Sequence, residues 1–216
     1  MSSANRDLTT TSYALLGLLA VRSWSTYELA VQMRRNVHYF WPRTESNLYA
    51  EAKRLEAARL VTSSPEPVGR RRRTVYTITD GGMLALQHWL SAPSARSQLE
   101  AEVMVKLMFG NHGNKADVLA NLRAYRADLE ARLAVFVGIF GEYTRNLDPF
   151  PERLHINVLC YRLLWELART ELRWTKWASD RIELWPNVAE PGERGQHLSV
   201  LEKLLVDQTS GKTSLR

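Results

Sequence analysis

The chain has 216 residues, 45% of them apolar, and seven tryptophans, which argues against a disordered polypeptide and leaves room for one large domain or two small ones. Its formal net charge of +6 is unevenly spread: residues 1–90 carry 12 Lys and Arg against 7 Asp and Glu, residues 91–216 carry 17 against 16, and a basic field confined to the first part points to a polyanionic partner. The single cysteine, Cys160, excludes an internal disulfide, and with neither a signal-peptide pattern nor an apolar run of membrane-spanning length, a cytoplasmic protein with no membrane partner is expected.

The stretch "TSYALLGLLAV" reads as a compact apolar helix to Val21, capped by Thr11 or Ser12, with Gly17 marking close packing against another helix. In "SWSTYELAVQMRRN" Ser25 and Glu28 have the spacing of a capping box, and Arg34 and Arg35 suit the negative end of the helix dipole. Leu29 and Met33 face a core. A third helix follows Pro42, with Thr44 as its cap; Leu48, Ala52, Leu55 and Leu60 recur at helical spacing, and Asn47, Tyr49, Lys53 and Glu56 lie on the other face. "LVTSS" is a short strand, "PEPVGRRRR" a turn, and "TVYTIT" an alternating strand with Tyr76 and Ile78 on one side. Asp80 or Thr79 then caps a helix to about Leu90.

Three short helices followed by a hairpin is the order of a winged helix-turn-helix, in which the third helix enters the major groove and the hairpin wing reaches along the backbone. That order gives a purpose to four adjacent arginines, Arg70 to Arg73, placed at or near the hairpin tip. Their mutual repulsion is tolerable in water and falls when phosphates neutralise them, each contact releasing counterions. Arg43, Thr44, Lys53 and Arg70, Arg71, Arg72 and Arg73 are therefore the candidate phosphate contacts. Asn47 and Tyr49, with Ser46 close by, are the candidates for base contact, because Asn bonds adenine through two hydrogen bonds. Tyr49 has an alternative role, packing against Tyr27.

These residues carry a resemblance to the PadR family of transcriptional regulators. It rests on "SYALLGLLA" at 12–20, "YEL" at 27–29, "NLY" at 47–49, "KRLE" at 53–56, "LV" at 60–61 and "VYTITDGG" at 75–82, about 80 residues at consistent spacing. The resemblance implies repression, a helical C-terminal region that mediates dimerisation, and a small, often aromatic, effector. The chain departs from the family pattern in having Thr26 where Gly is common before "YEL", and Ala50 and Glu51 where "LYPAL" would place Pro and a small residue.

Beyond residue 90 the pattern is helical. Val118, Leu122, Tyr125, Leu129, Leu133, Phe136, Phe140 and Tyr143 approach a heptad seam on a helix from Lys115 to Tyr143. The seam suits a helix of an ordinary bundle or a second copy of the same helix, and the paired half-sites of such DNA-binding domains make the second copy the expectation. A further long helix runs from about Pro151 to Leu184, with Ile156, Leu159, Leu163, Leu167, Thr170, Trp174 and Trp177 along one stripe. Leu122, Leu129, Phe136, Leu163, Leu167, Trp174 and Trp177 are accordingly the expected dimer interface. After a loop from Pro186, Ser199 and Glu202 have capping-box spacing for a short helix to about Asp207.

The organisation expected is mainly α: a winged helix-turn-helix domain over residues 1–92, a long-helix dimerisation and effector region over 93–185, and a loop, short helix and tail over 186–216. The five histidines do not cluster, Cys160 sits in an apolar helix as a buried and inert thiol, and "GNHGN" at 110–114 is a turn between helices. No enzymatic activity, metal or cofactor is expected. The expected partners are double-stranded DNA carrying an inverted-repeat operator and a second copy of the chain. An RNA-binding or ribosome-associated protein using the same basic face is the alternative; such a protein would favour single strands or A-form helices. Tyr161, Trp165 and Arg169 form a candidate effector site, because flat rings beside a guanidinium suit an aromatic acid. The alternative is that the tryptophans of this helix fill the dimer core.

Overall fold

The computed structural model describes residues 8–35, 37–68, 71–147, 150–189, 192 and 194–209, with the side chains of Val68, Arg71 and 207–209 left out. The chain divides into two compact units, Met1–Ser97 and Gln98–Arg216.

The first unit opens with α1 (Thr10–Val21). Its cap is Thr9, earlier than Thr11 or Ser12: the Thr9 hydroxyl accepts the Ser12 N–H at 3.2 Å, and the Ser12 hydroxyl accepts the Thr9 N–H at 2.8 Å. That reciprocal pair leaves Thr11 and Ser12 inside the helix and buried. Gly17 is not a close-packing site, since a Cβ there would meet nothing within 4 Å. A two-residue strand, β1 (Trp24–Ser25), leads into α2 (Thr26–Arg35). The Ser25–Glu28 capping box forms: Glu28 accepts the Ser25 N–H at 2.8 Å and the Ser25 hydroxyl accepts the Glu28 N–H at 3.3 Å. Helix α3 (Glu45–Ala57) is capped by Thr44, whose hydroxyl accepts the Asn47 N–H.

Helix α3 ends in a left-handed residue, Arg59, at φ 61°. The Arg59 N–H donates to the Glu56 carbonyl at 2.8 Å and the Leu60 N–H to the Leu55 carbonyl at 3.0 Å, the pairing of a Schellman stop. The chain then reverses into β2 (Val61–Val68) and β3 (Arg71–Ile78), followed by α4 (Asp80–Ser91), whose cap is Thr79. The sheet has three antiparallel strands in the order β1-β3-β2, where two were expected. Strand β2 runs straight through Pro65 and Pro67, where a turn is expected from the sequence. An edge strand tolerates proline, and a spacing of two puts both missing N–H groups on the same side of it. The core joins Leu15, Leu16 and Leu19 of α1 to Trp24, Leu29, Met33, Leu48, Leu55, Val61 and Tyr76. Tyr13 stacks on Trp89 at 4.7 Å, fastening α4 to α1.

The second unit comprises α5 (Glu102–Met108), α6 (Lys115–Thr144), α7 (Leu154–Glu183) and α8 (Arg194–Thr209). Helices α6 and α7 each have 30 residues, about 45 Å. They pack against each other as a hairpin. Val118, Leu119 and Leu122 meet Ala178 and Ile182 at one end, and Phe136, Phe140 and Tyr143 surround Tyr161 at the other. Between them the Tyr125 hydroxyl bonds Glu171; burial, then the Glu171 carboxylate, push that phenol up to about 12.

This hairpin corrects several expectations. Leu122, Leu129 and Phe136 are at most 1% exposed and belong to the core of a single chain, not to a seam left open for a second copy. Trp174 packs on the same core. The reason lies in α7, whose buried positions Tyr161, Ala168, Thr175 and Ile182 recur every seven residues and turn one continuous row towards α6. Cys160, beside that row, is exposed rather than buried. Helix α8 starts before Ser199, whose hydroxyl donates to the Gln196 carbonyl at 2.9 Å within the helix, so the expected Ser199–Glu202 box does not form.

Candidate nucleic-acid interface

Helix α3 presents two contrasting faces because its apolar residues recur every three to four positions. Leu48, Ala52 and Leu55 are buried, while Ser46, Asn47 and Lys53 are exposed. At its N-terminus the exposed Thr44 hydroxyl is committed to capping and lies 3.0 Å from the Ser46 hydroxyl. Arg43 stacks over the Trp41 ring at 4.5 Å, and the Trp41 indole N–H donates to Thr11 at 3.0 Å. The guanidinium thus stands on a ring anchored to α1, beside a helix N-terminus that itself favours anions. Arg34 at the end of α2 pairs with Glu45 in the first turn of α3.

Of the two departures from the family pattern on α3, one has a structural explanation. Glu51 turns towards α1, where it accepts the Ser12 hydroxyl and pairs with Arg54 at 2.9 Å, while Arg54 also donates to Ser12 at 3.0 Å. Its side chain braces α3 against α1. Ala50 is exposed on α3, and nothing in the structure explains the absence of proline there.

Between α2, α3 and β3 lies an open cleft of about 720 Å³ lined by Tyr27, Glu28, Tyr49, Lys53, Arg73 and Thr74, among others. Tyr49 is half-buried on one wall. Tyr27, 69% exposed, is on the same cleft. Tyr27, expected only as a packing partner of Tyr49, stands in the first turn of α2, two residues after the capping Ser25, and that position is the signal in the sequence. Thr74 also lines the cleft and carried no signal of its own.

The arginine run is divided by the strand. Arg70 lies outside the described residues, as does the side chain of Arg71. Arg72 is exposed, opposite Pro67. Arg73 is held by two carboxylates, Glu66 across the ladder and Glu28 on α2. Glu28 itself is held below the usual carboxylate range, chiefly by the Ser25 hydroxyl and backbone N–H, with smaller contributions from Arg73 and Arg22.

In the second unit Tyr161 is buried among Phe136, Phe140 and Tyr143, so it serves the hairpin core and is not open to a ligand. Trp165 is half-buried beside Phe140, ring centroids 5.7 Å apart, and Arg169 is exposed one turn later. Leu163, Leu167 and Trp177 are 62%, 51% and 45% exposed. Among the described residues no helix is long and apolar enough to cross a membrane.

Comparison with known proteins agrees with this arrangement. The Transcriptional regulator PadR-like family matches residues 15–88, and Virulence activator alpha C-term matches residues 99–184. The Probable transcriptional regulator Rv1176c of Mycobacterium tuberculosis is 27% identical over 138 residues, 59% of this chain and 73% of that protein. The Negative transcriptional regulator PadR of Bacillus subtilis is 32% identical over 139 residues, 63% of this chain and 76% of that protein. The crystal structure of Bacillus subtilis PadR with operator DNA superposes with a TM-score of 0.71 at 20% identity, covering 81% of this chain and 98% of that one. Its complex with p-coumaric acid gives 0.63 at 22%, covering 81% and 99%. A winged helix-turn-helix followed by long helices, with a PadR relative matched over three quarters of its length, makes this chain a member of the PadR family of transcriptional regulators.

Proposed function

We propose that this regulator acts as a homodimer on an inverted-repeat operator, represses transcription, and is released by a small aromatic molecule. The observation that carries the reading is the exposed face of α3: Asn47 and Ser46 stand free of the core on a capped helix, and Tyr49 and Lys53 of the same helix line the cleft that β3 closes. Repression is supported by the Bacillus subtilis relative, described as a negative regulator. An aromatic effector is supported by that relative's complex with p-coumaric acid and by the half-exposed Trp165 and the exposed Arg169.

Selection of bound duplexes from a randomised pool tests the DNA reading and the symmetry together. The expected motif is an inverted repeat with half-sites about one helical turn apart. On that motif, Asn47→Ala should cost about 1–3 kcal/mol in binding and almost nothing on random duplex. Arg72→Ala should weaken both and reduce the salt slope by about one, the signature of a lost phosphate contact. Failure to enrich any duplex while single-stranded or A-form RNA binds tightly would shift the assignment to the RNA reading. For the effector, aromatic acids titrated against wild type and Trp165→Ala should change tryptophan fluorescence and weaken operator binding only in the wild type. A broad panel with neither response removes Trp165 from a ligand role.

A further inference from the structure

Arg73, the last arginine of the wing run, is placed differently from a phosphate contact. The Arg73 Nε donates to Glu66 at 2.6 Å, its Nη2 lies 2.5 Å from the same carboxylate, and its Nη1 lies 3.6 Å from Glu28. Glu66 is its register partner on β2, so the pair spans the two strands of the wing. Glu28 sits on α2 with its second oxygen fastened to Ser25, which pairs with Val75 of the same strand. One guanidinium therefore joins three elements: β2, β3 and the start of α2.

The charge count follows from this. Two carboxylates face this one guanidinium, Glu28 also feeling the charge of Arg22, so Arg73 does not present the uncompensated positive charge that the arginine run implies. A phosphate would have to displace Glu66 Oε2, which holds both the Nε and the Nη2 of Arg73, and also approach Glu28. Each exposed ion pair is weak by itself. Geometry strengthens this one, because the ladder sets Glu66 directly opposite Arg73 and the capping box holds the Glu28 carboxylate.

We propose, resting on the reading of this unit as a DNA-binding domain, that Glu28 and Glu66 are positioning residues that lock Arg73 as a strut between wing and α2 and withhold it from the phosphate backbone. The wing then grips DNA through its other arginines, and the two carboxylates limit how many phosphates the protein neutralises. Non-specific affinity is set by that number, so the device keeps the regulator from being held on random sequence.

The test is a cycle of salt-dependent binding measurements on random and selected duplexes. It compares wild type, Arg73→Gln, the pair Glu28→Gln with Glu66→Gln, and all three together. Glutamine at 28 retains the capping box, since Ser-x-x-Gln caps as well as Ser-x-x-Glu. Arg73→Gln is expected to leave the salt slope unchanged on random duplex. The carboxamide pair should steepen it by about one and tighten random binding roughly five- to ten-fold at about 0.1 M salt. The triple variant should return to the Arg73→Gln values, because the gain acts through Arg73. The inference is overturned if Arg73→Gln flattens the slope by about one, which would make Arg73 a phosphate contact already. It is equally overturned if the carboxamide pair has no effect, or if its gain persists without Arg73, which would be a general field effect. If wild type binds no duplex, the DNA reading falls and the inference falls with it.

Discussion

Leu163→Glu is expected to leave the chain folded, convert it to monomers and reduce operator affinity by about 100-fold or more. The α6–α7 hairpin uses one face of α7, through Tyr161, Ala168, Thr175 and Ile182. Leu163 lies on a different face, continuous with Ile156, Leu159 and Leu167, and all four are exposed in the single chain. A row of exposed leucine and isoleucine along a rigid helix is costly to leave in water. Under the proposed dimer a second copy covers it. In a two-fold interface the new carboxylate enters twice, each time losing water without gaining a partner. The affinity loss follows from linkage: two half-sites joined through one dimer bind far more tightly than either alone. The control is Leu129→Glu. Leu129 is fully buried between α6 and α7, so that variant should unfold the second unit rather than separate two folded copies. Sedimentation, far-UV circular dichroism and operator titration distinguish the two outcomes. A folded Leu163→Glu dimer with full operator affinity would remove the α7 stripe from the interface.

That contrast also shows where sequence reading reaches its limit. The α3 face was legible because a helix half in water and half in the core segregates its residues at period 3.6, and Asn47 and Lys53 separated cleanly from Leu48 and Leu55. The caps at Ser25–Glu28 and Thr44 were legible because capping is a local, side chain-to-backbone matter. On α7 two stripes compete. The larger apolar residues define one, exposed from Ile156 to Leu167 and again at Trp177; a heptad containing Ala168 and Thr175 defines the other, and it is buried. Bulk hydrophobicity favoured the wrong stripe for the chain's own core because a close helix pair wants small residues opposite large ones. The wing was misread for a related reason. Pro65 and Pro67 are turn residues by local preference, and only the edge position of β2 makes them strand residues. Strand β1 is too short for any alternation to show, and the partners of Arg73 are contributed by two other elements, one of them far from it in sequence.

Gly82→Ala should destabilise the first unit by about 3 kcal/mol, whereas Gly81→Ala, one residue earlier, should be neutral or slightly stabilising. Both glycines lie in the first turn of α4, where alanine is the better helix former by about 1 kcal/mol. Their surroundings differ. A Cβ on Gly81 would come no nearer than 3.6 Å to the Thr79 hydroxyl, an ordinary contact. A Cβ on Gly82 would stand 2.1 Å from the Leu60 carbonyl oxygen and 2.8 Å from Ile78 Cγ1. The Leu60 carbonyl cannot yield easily, because it accepts the Thr79 N–H at 3.0 Å where β2 begins, and Leu60 itself completes the Schellman stop of α3. Nor can α4 withdraw without cost: the Gly82 N–H donates to the Thr79 cap at 3.1 Å, and Trp89 further along is stacked on Tyr13. The added methyl therefore forces apart the end of α3, the start of β2 and the helix that closes the unit. A loss of about 3 kcal/mol in a unit of this size should lower its melting temperature by roughly 15 °C. Amide hydrogen exchange resolved by unit measures it in the intact chain: protection in α1, α3 and α4 should fall in Gly82→Ala, with α6 and α7 unchanged, and operator binding should fail at a temperature lower by the same interval. Equal behaviour of the two alanine variants would mean that Leu60 can move aside, and the second glycine of the "TDGG" turn would then owe its place to something other than the close approach of α4 to the α3 stop.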